Sequence, residues 1–155
     1  MTLPPLEPPR ILLHVRIPGE PVAQMRAKAG GSRFNKKMRL IPRFYDPNEK
    51  DKEDFQWQIK AAVPTLRPVV RTRLGIFIEI WSAKPPVQKR INRKPTGEFR
   101  YVTDWDNYGK FYCDALKGMA WDDDCWIEDG RVVLHRQALE PAVKIMVWEL
   151  PPMGL

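Results

Sequence analysis

The chain reads as an α+β fold, a mixed sheet of about four strands with two helices on one face, in the order βαβαββ with a long basic loop. Three observations predict it. Residues 11–17 and 74–81 alternate apolar side chains with period two, as half-buried and central strands do. Two other segments repeat apolar residues at helical spacing between clear stop signals. Two further alternating segments, 131–137 and 143–150, close the chain and read as an antiparallel hairpin. At 155 residues the chain fits a single domain, which we place at residues 11–150. Residues 1–10, with four prolines, are expected to form a disordered arm, and 151–155 a short tail.

In the first strand Leu13, Val15 and Ile17 share one face and Leu12, His14 and Arg16 the other. Residues 18–45 then form a segment too long to be a plain connection. Seven of its residues between 26 and 43 are basic (Arg26, Lys28, Arg33, Lys36, Lys37, Arg39 and Arg43) and none is acidic. Such one-sided charge repels itself until it closes on a polyanion, and the interleaved Phe34, Phe44 and Tyr45 could stack on bases. Asp46, Pro47 and Glu49 look like a capping box opening the first helix. Its apolar face is Phe55, Ile59, Ala62 and Val63, its charged run 49–54 reads as a solvated face, and Pro64 ends it. The strand at 74–81 is expected to lie against the first strand. A second basic segment follows, with Lys84, Lys89, Arg90, Arg93, Lys94 and Arg100, and it delivers the chain directly to Asp104. His14 and His135 read as structural.

The formal net charge of +7 predicts attraction to polyanions, with nucleic acid the expected partner. No run of about 18 apolar residues is present for a membrane span, so a soluble protein without a membrane partner is expected. Cys113 and Cys125 form no C-x-x-C pair and no signal peptide is evident, which suggests free thiols in a cytoplasmic setting.

The chemistry concentrates in residues 104–124, DWDNYGKFYCDALKGMAWDDD, which hold six aspartates. A helix from about Asp106, as N-cap, to Gly118, as stop, gathers Tyr108, Phe111, Tyr112, Ala115 and Leu116 into one stripe. Asp106, Lys110 and Asp114 fall on the opposite side, where Asp114 could pair with Lys110. Beyond Gly118, Trp121 leads into Asp122, Asp123 and Asp124. Two carboxylates about 4 Å apart repel by roughly 4 kcal/mol at an effective dielectric near 20. If Asp104, Asp106 and Asp124 converge, they therefore call for a divalent cation, and hard oxygen donors suit magnesium and phosphate chemistry.

The spacing Asp104-x-Asp106-Asn107-x-x-Lys110, then Asp114-Ala115-Leu116-x-Gly118, then Trp121-x-Asp123-Asp124 strongly resembles the RusA family of Holliday junction resolvases of bacteriophages and prophages. Ile17-Pro18-Gly19-Glu20-Pro21-Val22 is similar to the family's N-terminal strand and loop. The resemblance covers about residues 11–150. It implies an endodeoxyribonuclease of DNA recombination and repair, acting in the cytoplasm of a bacterial host. Four-way junctions would be resolved by paired symmetric cuts, with Mg2+ as cofactor, Mn2+ as substitute, and a homodimer as the working unit. Asp104, Asp106, Lys110 and Asp124 are then the catalytic residues. Asp104, Asp106 and Asp124 hold the metal, and Asp123 is an additional or substitute ligand, because alignment on Trp121 makes Asp124 the catalytic member of the acidic run. DNA contacts are expected from Arg26, Lys28, Arg33, Lys36, Lys37, Arg39, Lys89, Arg90, Arg93 and Lys94. Two other readings fit the same residues: a broader phage nuclease acting on forks and branched DNA, and a non-catalytic DNA-binding protein relying on the basic loops.

Overall fold

The structure, a computed structural model, describes residues 8–25, 28–34, 40–85, 87–89, 99–101 and 104–152. Its centre is a four-stranded mixed sheet built from β1 (Ile11–Pro18), β4 (Leu74–Trp81), β7 (Ile127–His135) and β8 (Ala142–Glu149). Helices α1 (Glu49–Ala62) and α2 (Trp105–Leu116) cover one face. That is the α+β architecture and helix placement expected from the sequence. The segments read as long loops carry two short antiparallel ladders, β2 (Lys28–Phe34) with β3 (Leu40–Tyr45), and β5 (Val87–Lys89) with β6 (Phe99–Tyr101).

Strand order differs from the sequence reading in two ways. The sheet runs β1-β8-β4-β7, so β4 does not lie against β1, and β7 and β8 do not form a hairpin. β8 is antiparallel to both β1 and β4, whereas β7 runs parallel to β4 at the edge. Burial supplies the physical reason. Ile76, Ile78 and Ile80 of β4 and Val143, Ile145 and Val147 of β8 are buried, while Val132 and Leu134 of β7 are only half-buried. The two most apolar strands take the middle, where both flanks are covered. The connection from β7 to β8 therefore wraps the end of β4. The Ser82 amide donates to the His135 carbonyl (2.8 Å) and the Ala138 amide to the Ser82 carbonyl (2.9 Å).

One core joins both helices to the sheet. Leu13 and Val15 of β1 meet Phe55 and Ile59 of α1 and the α2 stripe Tyr108, Phe111, Tyr112, Ala115 and Leu116. Every member of the α2 stripe is buried, as its spacing predicts. Of the face expected on α1, Phe55 and Ile59 are buried, Val63 is half-buried, and Ala62 at the last turn is exposed. Phe55 packs edge-on against Phe111 and Tyr112, with ring centroids 6.4 and 5.0 Å away. The Gln56 side-chain amide donates to the Ala115 carbonyl (2.9 Å).

Helix α1 begins later than the capping box suggests. Its N-cap is Asn48, and Asp46 acts from outside the helix, its carboxylate accepting from the Asn48 amide (2.9 Å). The charged run is not purely a solvated face either. Lys52, its side chain only 16% exposed, bridges Asp46 (2.7 Å) and Asp114 (3.3 Å), tying the start of α1 to α2. Both cysteines are free thiols, and among the described residues no helix is long and apolar enough to cross a membrane.

Candidate active site

The acidic corner is assembled by α2 and the turn after it. α2 starts at Trp105 with Asp104 as N-cap, two residues ahead of the position the spacing suggests, so Asp106 lies inside the first turn. Asp104 is exposed and its side chain makes no cap hydrogen bond. Asp106 is instead paired with Lys110 (3.0 Å), whose ammonium holds the Asp106 carboxyl below the usual carboxylate range. Asp114, which could have taken Lys110, is drawn to Lys52 because the two helices pack side by side.

Gly109 sets how closely α2 approaches the sheet: a Cβ there would stand 2.8 Å from Cγ2 of Val132 on β7. At the far end Gly118, with φ of +81°, takes the left-handed conformation that stops the helix. The chain then turns back, with Met119 and Ala120 amides donating to the Leu116 carbonyl (2.9 Å each). It also pairs with the strand-like segment at Val69, whose amide donates to the Ala120 carbonyl (3.1 Å).

This backbone drives Trp121 into the core, where it is fully buried. Burying an indole removes roughly 200 Å² from water, about 5 kcal/mol before entropic costs. Its Nε1–H is satisfied by Asp124, donating to Oδ1 at 2.6 Å. The next aspartate back has a different task. Asp123 caps the short 3-10 turn Asp124–Trp126, its Oδ1 accepting from the Cys125 amide (3.2 Å) and from Lys117 (3.4 Å). The Cys125 amide, then Lys117, keep the Asp123 carboxyl low. In the run of three aspartates, Asp124 is thus turned toward the buried indole and Asp123 toward the surface. Asp122 is exposed, and its amide donates to the Val69 carbonyl (3.2 Å).

Asp106, Lys110 and Cys113 succeed one another along one side of α2. Burial, followed by the charges of Asp124 and Asp114, pushes the Cys113 thiol up to about 12. The side chains of the expected carboxylates are not drawn into one cage. Among the described residues no group of three or more His, Cys, Asp or Glu side chains is gathered closely enough to hold a metal ion. The donor chemistry nevertheless suits a hard divalent cation: carboxylate oxygens only, with Asp104 making no cap bond and Asp124 anchored through one oxygen. Asp106 meets Lys110 through Oδ2 alone, at 3.0 Å.

Sequence reasoning passed over two contributors. One is the Trp121 indole as a hydrogen-bond donor, whose signal in the sequence is a Trp three residues before an Asp in a tight turn. The other is an open cleft of about 550 Å³ beside Asp104, lined by Trp105 and by Arg131, Val132, Val133, Leu134 and Arg136. It arises only because β7 is an edge strand. Of the expected DNA contacts, Lys28 and Arg33 lie on β2 and Lys89 on β5. Arg26, Lys36, Lys37, Arg39, Arg90, Arg93 and Lys94 lie outside the described residues. His135, read as structural, stacks on Trp81 (centroids 5.3 Å apart) and hydrogen-bonds Glu79 (3.0 Å) on the sheet face away from the helices.

No curated protein matches the chain. The family model for endodeoxyribonuclease RusA, however, matches residues 18–148, which include β1 from its last residue, both helices, the acidic corner and almost all of β8. With the aspartate spacing intact across that span, the chain belongs to the RusA endodeoxyribonuclease family.

Proposed function

We propose that this member of the RusA family is a magnesium-dependent nuclease that resolves four-way DNA junctions by paired, symmetric phosphodiester cuts, working as a homodimer. The observation that carries the reading is the contrast within the corner. Asp104 stands at a helix N-cap without the bond a cap normally makes, and Asp124 is held in place by a buried indole. Structural aspartates are normally consumed by local partners, as Asp123 is. Asp104, Asp106 and Asp124 would hold the cation, with Asp123, whose contacts to the Cys125 amide and Lys117 both fall on Oδ1, as an additional or substitute ligand. A bound divalent cation supplies charge neutralisation at the phosphate and an activated water. Lys110, the partner of Asp106, would stabilise negative charge developing on the phosphate. The two basic segments, with a net +7 over the chain, supply backbone attraction. Dimerisation follows from the substrate, since a junction with twofold symmetry presents two equivalent strands to two equivalent sites.

The test is cleavage of a fixed four-way junction with magnesium, manganese, calcium or chelator, comparing wild type with Asp106→Asn. Symmetric nicks in magnesium and manganese, lost in chelator and in the variant while junction binding persists, are expected. Equal cutting of forks and linear duplex would replace the resolvase with a broader branched-DNA nuclease. Cutting that survives both chelator and Asp106→Asn would remove the metal site.

A further inference from the structure

Trp105 is 57% exposed, although it sits in the first turn of a helix whose Tyr108, Phe111 and Tyr112 are all buried. It lies between Asp104 and Asp106 and lines the open cleft along the outer edge of β7. Arg131 and Arg136 line the same cleft. Arg131 is exposed and stands over the Phe77 ring at 5.8 Å, which puts its guanidinium on the sheet face away from α2, across the β7 edge from Trp105. An aromatic plane, a cationic rim and a carboxylate thus share one opening. We propose that this cleft is the junction-reading site: Trp105 stacks on a base at the branch point, and Arg131 holds the adjoining phosphate. The inference rests on the nuclease reading above and adds to it how branched DNA is told from duplex.

The physical argument turns on what an exposed indole can recognise. In a linear duplex every internal base is stacked on both sides, and extracting one breaks its pairing and both stacks. At a branch point the backbone continuity between stacked arms is broken, so the stack opens there at less cost and an aromatic ring can enter it. Stacking is therefore selective for branched DNA, whereas the guanidinium meets the phosphate of any DNA. The position next to Asp104 places the reading group beside the expected scissile phosphate.

Exposed tryptophans also occur without a role, and the molecule carries a control. Trp57 on α1 is 69% exposed and has Lys60 over its ring at 5.1 Å, but it does not line the cleft. The experiment measures binding to a four-way junction and to a linear duplex of the same sequence in calcium, for wild type, Trp105→Ala, Trp105→Phe, Arg131→Ala and Trp57→Ala. The junction also carries 2-aminopurine at the branch point as a stacking reporter. Trp105→Ala should weaken junction binding about tenfold, leave duplex binding unchanged and abolish the 2-aminopurine response, with Trp105→Phe restoring most of both. Arg131→Ala should weaken both substrates alike and reduce the salt dependence by about one phosphate contact. Trp57→Ala should match wild type. The proposal is overturned if Trp105→Ala keeps the junction preference and the 2-aminopurine signal, or if Trp57→Ala loses them equally. Because binding is read without cutting, an inactive wild type that still prefers junctions would sink the nuclease reading and leave this one standing.

Discussion

The two helices begin with the same chemistry put to opposite use. Ahead of α1, Asp46 accepts from the Asn48 amide, the Lys52 ammonium at 2.7 Å and the Gln24 side chain at 3.5 Å. At α2, Asp104 occupies the N-cap itself, is exposed and makes no cap bond. Local sequence would have allowed either aspartate to be satisfied, since Asp is a favoured N-cap residue. The difference teaches that an aspartate saturated by its neighbours is part of the scaffold, and one left open beside a cleft is available to something outside the chain. The turn after α2 repeats the lesson on a smaller scale, with Asp123 absorbed by capping and Asp124 aimed by Trp121.

The sharpest way to break this comparison is to neutralise the members on the open side. Asp104→Asn and Asp124→Asn should each lower magnesium-dependent junction cutting by more than about a hundredfold. Asn also serves as an N-cap, so Asp104→Asn should leave the melting temperature within about 2 °C of wild type. A large loss of stability with either variant would make these aspartates structural after all. Next in size is Trp121→Phe, which keeps the buried ring but removes the only donor on Oδ1 of Asp124 recorded among the described residues. Cutting should fall about tenfold, with a stability loss of about 2–3 kcal/mol, the space left by the smaller ring adding to the lost hydrogen bond. Unchanged cutting would mean that the indole does not position the carboxylate.

On the saturated side the effects are smaller and of the opposite kind. Asp46→Asn should cost about 1 kcal/mol by urea denaturation, since the Lys52 pair is partly screened by solvent, and should leave junction cutting intact. The smallest effect is its pH dependence. Lys52, and then the Asn48 amide, hold the Asp46 carboxyl below its ordinary range. A carboxylate with a depressed folded pKa adds stability that is complete above its unfolded value, roughly 4, and is lost as pH falls through the folded one. The gap between wild type and Asp46→Asn should stay constant from about pH 7 to 5 and shrink progressively as the pH falls below about 4, through the lowered folded value. A gap that widens on acidification would contradict the assigned pairing.

Much of this molecule is legible in its residues. The α2 stripe from Tyr108 to Leu116, the glycine stop at Gly118 and the alternation of β1 and β4 follow from periodicity and backbone preference, which act over a few neighbouring residues. The resemblance to the family rests on the spacing of Asp104, Asp106, Lys110 and Asp124, residues of one helix and the turn after it and so local in sequence. Tertiary structure alone decided the rest. Alternation cannot say which strands are neighbours, so the insertion of β8 between β1 and β4 came from the burial of Val143, Ile145 and Val147 against both helices. Which aspartates are saturated depended on partners distant in sequence, Lys52 reaching Asp114 across the helix pair. The cleft beside Trp105 exists because β7 is left at the sheet edge, a consequence of strand order that no local pattern encodes.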